Sequence, residues 1–234
     1  MRTTAVLVLA LLATGCVATL PRSPRACRGS QCGSQREAPA CQPLVARQAP
    51  AFTAPCVTPE NELSELTLDT YRGRYVLLVF YPGDFTFVCP TELLALNEKR
   101  AEFAKRDCDI IGVSVDSEHV HLAWKLASDE QGGVGNLGYP LVADPSRELA
   151  TTYGVLHDGK VALRAWFLID RKGIVRHQLV NDLSHGRSVS EALRVLDAVH
   201  FTDTHQNVCP ANWEEGDETF EPSRKGIVEF LRSR

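Results

Sequence analysis

The run Tyr75–Phe80 places six β-prone apolar residues in a row, which is the length and composition of one buried strand. A strand that is apolar on both faces needs cover on both sides, and a layered α/β fold supplies it. Around this run the periodicity alternates between the two types of element. Strands are predicted at 66–71 (a short strand and turn), 109–115, 165–169 and 174–180, and helices at 92–105, at 119–128 and after a capping box at 188–191.

The turn Asp170–Gly173 separates the last two predicted strands and predicts a β-hairpin. A hairpin at the end of an alternating pattern makes the sheet mixed rather than wholly parallel. We therefore expect one α/β domain, with a central mixed sheet flanked by helices.

The first fifty residues differ in composition from the rest of the chain. They hold six arginines and one acidic residue, a local charge of +5, so residues 51–234 carry −9 and the whole chain −4. Five of the eight cysteines also lie before residue 57. The apolar content of 44% is that of an ordinary soluble protein. The net negative charge argues against a protein that coats nucleic acid.

Residues 1–16 resemble a secretory signal peptide, with one arginine, an apolar run at 5–13 and small residues after it. A transmembrane helix needs about 20 apolar residues, and this run is shorter. Ala13–Cys16 is similar to a bacterial lipobox, with Cys16 as the candidate lipidation site and Ala13 in place of the usual leucine. We expect an exported protein, periplasmic or anchored in a membrane as a lipoprotein. The alternatives are an organelle transit peptide, which the arginines and scarcity of acids also fit, and a cytoplasmic protein.

Residues 17–44 have no periodicity and are interpreted as a flexible tether. Cys27, Cys32 and Cys41 are loosely spaced for zinc and lack a fourth ligand, so incidental disulfides are favoured over a metal site. No role is assigned to Cys56. The predicted organisation is a signal-like segment (1–16), the tether (17–44), the globular domain (45–205) and a C-terminal tail (206–234).

Cys89 stands where a turn leads from the predicted strand into a helix. Pro90 supports this placement, because its missing N–H costs nothing in the first helical turn. A thiol at this point meets unpaired backbone N–H groups and the positive end of the helix dipole, and both stabilise a thiolate. Thr86 can place a hydroxyl beside the sulfur. The placement alone leaves two interpretations open, a reactive thiolate and a buried structural cysteine.

The segment 84–92, Asp-Phe-Thr-Phe-Val-Cys-Pro-Thr-Glu, resembles the active-site motif of typical two-cysteine peroxiredoxins, the alkyl hydroperoxide reductase and thiol-specific antioxidant family. Val208-Cys209-Pro210 lies where that family has its resolving cysteine. Two shorter motifs match as well, Asn181-Asp182 and Gly186-Arg187-Ser188. The resemblance implies a thioredoxin-like fold and a thiol peroxidase that reduces hydrogen peroxide and organic hydroperoxides in antioxidant defence and redox homeostasis. It implies no cofactor and no metal.

The resemblance also implies roles for single residues. Cys89 would attack the peroxide and become a sulfenic acid. Thr86 and the Cys89 backbone would hold the peroxide, and Pro82 would shield the sulfur from water. Arg164 would stabilise the thiolate and the developing negative charge.

Glu92 and Arg187 would orient the arginines of the site. Cys209 of the other subunit would then form a disulfide with the oxidised sulfur, and thioredoxin or a dedicated flavoprotein would reduce it. A homodimer is thus the minimum functional unit, and decameric rings of five dimers are common in the family.

Some residues are assigned no chemistry. Cys108 has acids on both sides, which would raise its pKa, and we interpret it as structural. His119 and His121 do not share a helix face and are poor metal ligands. His185 is interpreted as a solvated loop histidine.

The sequence departs from the family pattern in two places, and the first concerns overoxidation. Gly132–Gly135 resembles a Gly-Gly-Leu-Gly loop linked to overoxidation sensitivity, but Glu229-Phe230 stands where the accompanying Tyr-Phe pair is expected. Without that pair, local unfolding around Cys89 should be easier, so disulfide formation should outrun overoxidation. Gly83 stands where leucine is usual, and we expect it to be tolerated.

Two other classes compete with a peroxidase. A thiol–disulfide oxidoreductase shares the layered architecture, but the chain contains no Cys-x-x-Cys. A non-enzymatic, chaperone-like ring is the third interpretation. Peroxide consumption coupled to oxidation of a dithiol protein separates these classes.

Overall fold

The computed structural model describes residues 42–233, so Cys16, Cys27, Cys32 and Cys41 lie outside the described residues, together with the signal-like segment and most of the tether. The strands are β1 Thr53–Val57, β2 Leu63–Thr67, β3 Tyr75–Phe80, β4 Cys108–Ser114, β5 Leu141–Ala143, β6 Leu156–His157, β7 Val161–Ala162, β8 Arg164–Ile169 and β9 Val175–Asn181. The helices are α1 Cys89–Glu98, α2 Arg100–Lys105, α3 Glu118–Leu126, α4 Glu148–Thr152, α5 Val189–Thr204 and α6 Arg224–Arg232.

Seven strands form one sheet in the order β2-β1-β5-β4-β3-β8-β9. The strands β3, β4 and β5 are parallel, whereas β8 runs antiparallel to β3 and β9 antiparallel to β8. β6 and β7 pair separately as a short two-stranded ribbon. The predicted α/β class with a mixed sheet is confirmed.

β3 lies near the middle of the sheet, and all six of its side chains are buried. Because side chains alternate along a strand, Val76, Leu78 and Phe80 join the core on one face. Tyr75, Leu77 and Val79 join the core on the other face, to which α1 and α5 contribute leucines. The unbroken apolar run therefore has the two-sided cover that its composition requires.

The helix assigned to 92–105 by its periodicity begins three residues earlier, at Cys89, where Pro90 indicates a helix start, and it is interrupted. α1 starts at Cys89, and Lys99 separates it from α2. The hairpin at Asp170–Gly173 is confirmed, and Ser188 caps α5 as predicted by accepting a hydrogen bond from the backbone of Glu191. The Glu191 carboxylate does not complete the capping box but pairs with Arg194 one turn on.

The sequence analysis did not identify β1, β5, α4, the β6–β7 ribbon or α6. β5 and α4 are three and five residues long, too short to show a period. α6 lies within the predicted tail, where Phe230 is buried against Phe220 at 4.8 Å between ring centroids. None of the described helices is long and apolar enough to cross a membrane.

Candidate active site

Cys89 is the first residue of α1, which a loop at residues 81–88 connects to the end of β3. Pro90 occupies the first turn of the helix, as predicted. The Cys89 side chain is 0% exposed and packs in the core beside Leu93. The first backbone N–H groups of a helix have no partner within the helix, so the sulfur lies at an end that attracts negative charge.

Arg164 brings a guanidinium group to this thiol from the neighbouring strand. β3 and β8 pair in a register that sets Phe80 opposite Ala165, so Arg164 lies just beyond the end of β3. Its Nη1 is 3.3 Å from the Cys89 sulfur. Nε donates to the Leu183 carbonyl at 2.7 Å, which fixes the plane of the group. The arginine therefore approaches the sulfur in a defined orientation.

Glu92 holds two arginines at the site. It accepts from Arg164 Nη1 at 2.8 Å, and from Nε and Nη2 of Arg187 at 2.8 and 3.1 Å. The backbone N–H of Arg187 also donates to this carboxylate, at 2.9 Å. Arg187 Nη1 donates to the carbonyls of Phe80 and Ala165, at the adjoining ends of β3 and β8. The cluster is thereby tied to the sheet.

The charged side chains of this cluster carry a net positive charge. Arg164, Arg187 and Glu92 are exposed by 4, 9 and 5%, and two guanidinium groups with one carboxylate leave an excess of one positive charge. An uncompensated buried charge is costly. The Cys89 sulfur faces this excess of positive charge, with Arg164 Nη1 at 3.3 Å.

Thr86 and Pro82 lie on the loop that precedes Cys89. The Thr86 hydroxyl donates to the Gly83 carbonyl at 2.8 Å, and the residue is exposed to solvent. A hydroxyl whose single hydrogen is engaged can still accept a hydrogen bond. Pro82 is half-buried and follows the fully buried Tyr81.

Cys209 lies in the tail, 3.9 Å from the Ala198 carbonyl of α5. Partial burial raises the pKa of this thiol, and the positive charge of Arg194 opposes the rise. The cysteines of the described residues (Cys56, Cys89, Cys108, Cys209) are all free thiols.

Comparison with known proteins assigns this arrangement to a family. Residues 45–178, more than half of the chain, match the model of the AhpC/TSA family. The chain belongs to this family. Residues 198–232 match the C-terminal domain of 1-Cys peroxiredoxin, and this segment carries Cys209.

The peroxiredoxin is 48% identical to a thioredoxin peroxidase of Echinococcus granulosus over 191 residues, 81% of this chain and 98% of the relative. It resembles the crystal structure of the reduced 2-Cys peroxiredoxin of Plasmodium vivax with a TM-score of 0.80 and 44% identity, over 82% of this chain and 100% of that one. The mitochondrial 2-Cys peroxiredoxin of Plasmodium falciparum matches with a TM-score of 0.68 and 43% identity, over 71% of this chain and 99% of that one. The thioredoxin-like fold is thus confirmed, and the protein is a thiol peroxidase with an antioxidant function.

The other two buried thiols of the peroxiredoxin lie away from this cluster. The pKa of Cys108 is raised, as predicted, but burial is the larger cause and the neighbouring Asp109 a smaller one. Burial also raises the pKa of Cys56 on β1. A raised pKa keeps a thiol protonated and unreactive.

The structure gives His121 a partner that the sequence analysis missed. Its ring is fully buried and contacts the Asp84 carboxylate at 2.7 Å, whereas His119 and His185 are exposed. His121 lies three residues before the buried Trp124 on α3, and this helical spacing is the signal that could have placed His121 on the buried side. In the described part of the chain, no group of three or more metal-ligating side chains is placed to hold an ion.

Proposed function

We propose that Cys89 is the peroxidatic cysteine, with hydrogen peroxide and organic hydroperoxides as substrates. The observation that carries this proposal is the contact of Arg164 with the Cys89 sulfur inside the buried cluster. The thiolate attacks one peroxide oxygen, and an S–O bond forms as the O–O bond breaks. Cys89 becomes a sulfenic acid. The departing oxygen takes up a proton and leaves as water or an alcohol.

Three groups around the sulfur have roles in this step. Thr86, whose hydrogen is engaged by Gly83, accepts a hydrogen bond from the peroxide O–H. The Arg164 guanidinium donates to the oxygen on which negative charge develops. Pro82 shields the thiolate from water, and its half-buried position beside the loop supports this role.

We further propose that Cys209 of a partner subunit resolves the sulfenic acid. Its thiolate attacks the Cys89 sulfur, an S–S bond forms, and the hydroxyl group takes a proton and leaves as water. Thioredoxin or an equivalent dithiol protein then supplies two electrons and reduces the disulfide. Because the pKa of Cys209 is raised by its burial, this step should accelerate as the pH rises.

Two surfaces support a homodimer that assembles further into a decamer. β9 is the last strand of the sheet. Ala46 and Arg47 bond the backbone of Val175 at its start, and among the described residues no strand pairs with the rest of its outer edge. A free edge favours pairing with the same edge of a second copy. Phe87, 93% exposed, and Phe85 form an apolar surface beside the site, suited to a contact between dimers.

The location is proposed chiefly from the N-terminal segment. Export with lipidation at Cys16 is the first hypothesis, and an organelle is the second, which the likeness to a mitochondrial structure favours weakly. Mass spectrometry of the native N-terminus tests both hypotheses. A diacylglyceryl adduct on Cys16 establishes a lipoprotein, and cleavage elsewhere without an adduct contradicts it.

Cysteine variants test the mechanism. Peroxide consumption with thioredoxin is expected to be abolished in Cys89→Ser, whereas Cys209→Ser should lose the dimer-linking disulfide on non-reducing gels. Cys108→Ala is the matched control, because this buried cysteine lies outside the cluster. Full peroxidase activity in Cys89→Ser would refute the assignment. Disulfide exchange without peroxide consumption would favour a thiol–disulfide oxidoreductase, and holdase activity alone would favour a chaperone-like ring.

A further inference from the structure

We propose that His121 and Asp84 form a buried anchor that positions Thr86 for peroxide binding. The inference rests on the proposed function, because it presumes that Thr86 contacts the peroxide. His121 lies on α3, outside the arginine cluster, and acts through the loop at residues 81–88 rather than on the substrate itself.

The anchor is a fully hydrogen-bonded buried pair. His121 Nε2 is 3.1 Å from the Val142 carbonyl, and because a carbonyl only accepts, Nε2 carries a hydrogen. Nδ1 lies 2.7 Å from Asp84 Oδ2, so one proton is shared between the two side chains. The Tyr81 hydroxyl donates to the other carboxylate oxygen at 2.8 Å. Both ends of the pair are thus fixed, His121 to β5 and Asp84 to the residue after β3.

The pair is held in the core at an electrostatic cost. Both side chains are 0% exposed, and burial raises the pKa of Asp84, while the bonds from His121 and Tyr81 oppose this rise. A pair of apolar residues would fill the same space without desolvating two titratable groups. The hydrogen bonds of the polar pair are directional and fix the orientation of Asp84, which an apolar contact would not do.

From Asp84 the anchor reaches Thr86 through the backbone. The Asp84 N–H donates to the Asp116 carboxylate at 2.8 Å, and the Ser114 hydroxyl donates to the same carboxylate oxygen at 2.7 Å. The preceding carbonyl, that of Gly83, accepts the Thr86 hydroxyl. The peptide group between Gly83 and Asp84 therefore links the anchor directly to the catalytic hydroxyl.

The loop needs such an anchor because its backbone is strained. Phe85, between Asp84 and Thr86, has φ +52°, in the left-handed region that residues with a side chain rarely occupy. Such a conformation persists only when its surroundings enforce it. The Phe85 ring is half exposed and contacts Trp124 at 6.0 Å between centroids. The hydrogen bonds of Asp84, the residue before it, contribute to this constraint, and releasing Asp84 should let Thr86 turn away.

The test measures two reactions of Cys89 in the full chain. Reaction with hydrogen peroxide requires Thr86. Alkylation by iodoacetamide, followed at the Cys89 peptide by mass mapping, requires a thiolate that the reagent can reach but no hydrogen bond to Thr86. In His121→Leu we expect the rate constant for peroxide to fall about tenfold or more, since a misplacement of about 1 Å is worth up to about a hundredfold. Alkylation should be unchanged. His119→Leu, an exposed position on the same helix, should react with peroxide at the parental rate.

A structural role alone would change both reactions, in either direction for alkylation of the buried sulfur, and that result overturns the proposal. A parental peroxide rate in folded His121→Leu also overturns it. If that variant does not fold, Tyr81→Phe decides, because it removes one bond to Asp84 without opening a cavity. It should slow peroxide reduction and leave alkylation unchanged, and an unchanged peroxide rate contradicts the anchor. Thr86→Val is measured alongside, and a parental rate there refutes the role of Thr86 in the proposed function instead.

Discussion

Exchanging Glu92 for glutamine would leave two buried guanidinium groups without their shared counter-charge. Glu92 accepts four hydrogen bonds, three from Arg187 and one from Arg164. The amide retains one oxygen, but its NH₂ group would face the donors that now lie 2.8 and 3.1 Å from Oε2. Removing one partner of a buried ion pair destabilises a protein by about 3–5 kcal/mol. For a chain of this size that corresponds to a fall in Tm of about 6–20 °C.

Thermal and urea denaturation of the reduced protein, at one fixed concentration, measure this loss. Glu102→Gln is the matched control, because Glu102 also bonds two cations, Lys105 and Arg106, but its side chain is 40% exposed. Solvent screens such pairs, so Tm should hardly change. The peroxide rate should fall only in Glu92→Gln, where Arg164 keeps a single anchor at Leu183. A loss of stability in Glu92→Gln no larger than in the control would refute the reasoning.

Three further outcomes are expected. Burial lowers the pKa of Lys125 from its usual 10.5 to about 8, so between these values the unfolded chain binds more protons than the folded chain. The Lys125 contribution to the free energy of unfolding should therefore rise with pH over this range. This rise should vanish in Lys125→Met, and urea titrations at pH 7 and pH 10 that show equal rises in both proteins would contradict it. Alkylation of the native protein at pH 8 should leave Cys108 unlabelled while Cys209 reacts, because burial raises the pKa of Cys108 far more than that of Cys209. Peptide mass mapping measures this, and equal labelling of the two would count against it. The peroxide concentration that inactivates half of the enzyme should be high and should fall in Glu229→Tyr, which restores the Tyr-Phe pair, whereas sensitivity like that of a Tyr-Phe-bearing enzyme would disprove the prediction.

Local pattern was sufficient for the central strand and for the start of α1. Tyr75–Phe80 could be assigned because six consecutive β-prone apolar residues fit a strand that is buried on both faces. β3 has these bounds. Cys89 could be placed at a helix start because Pro90 restricts where a helix begins. Both signals lie within a few residues of the feature that they predict.

Long-range contacts explain what local pattern could not supply. Arg164 is 75 residues from Cys89, and Arg187 is 95 residues from Glu92, so only the resemblance to a family named them beforehand. The same limit applied to His121, which is 37 residues from Asp84. A spacing that excludes two histidines as metal ligands carries no information about a partner on a distant loop.

The position of Arg164 at the first residue of β8 makes the active site sensitive to strand length. Side chains alternate along β8, so Arg164 lies on the same side of the sheet as Trp166 and Leu168, the side that α1 covers. One residue inserted between Arg164 and the hairpin would turn the guanidinium to the opposite face. A length change in the exposed turn 158–160, before β7, leaves this alternation intact. Homologous enzymes should therefore differ in length at that turn and keep a constant number of residues from Arg164 to the hairpin.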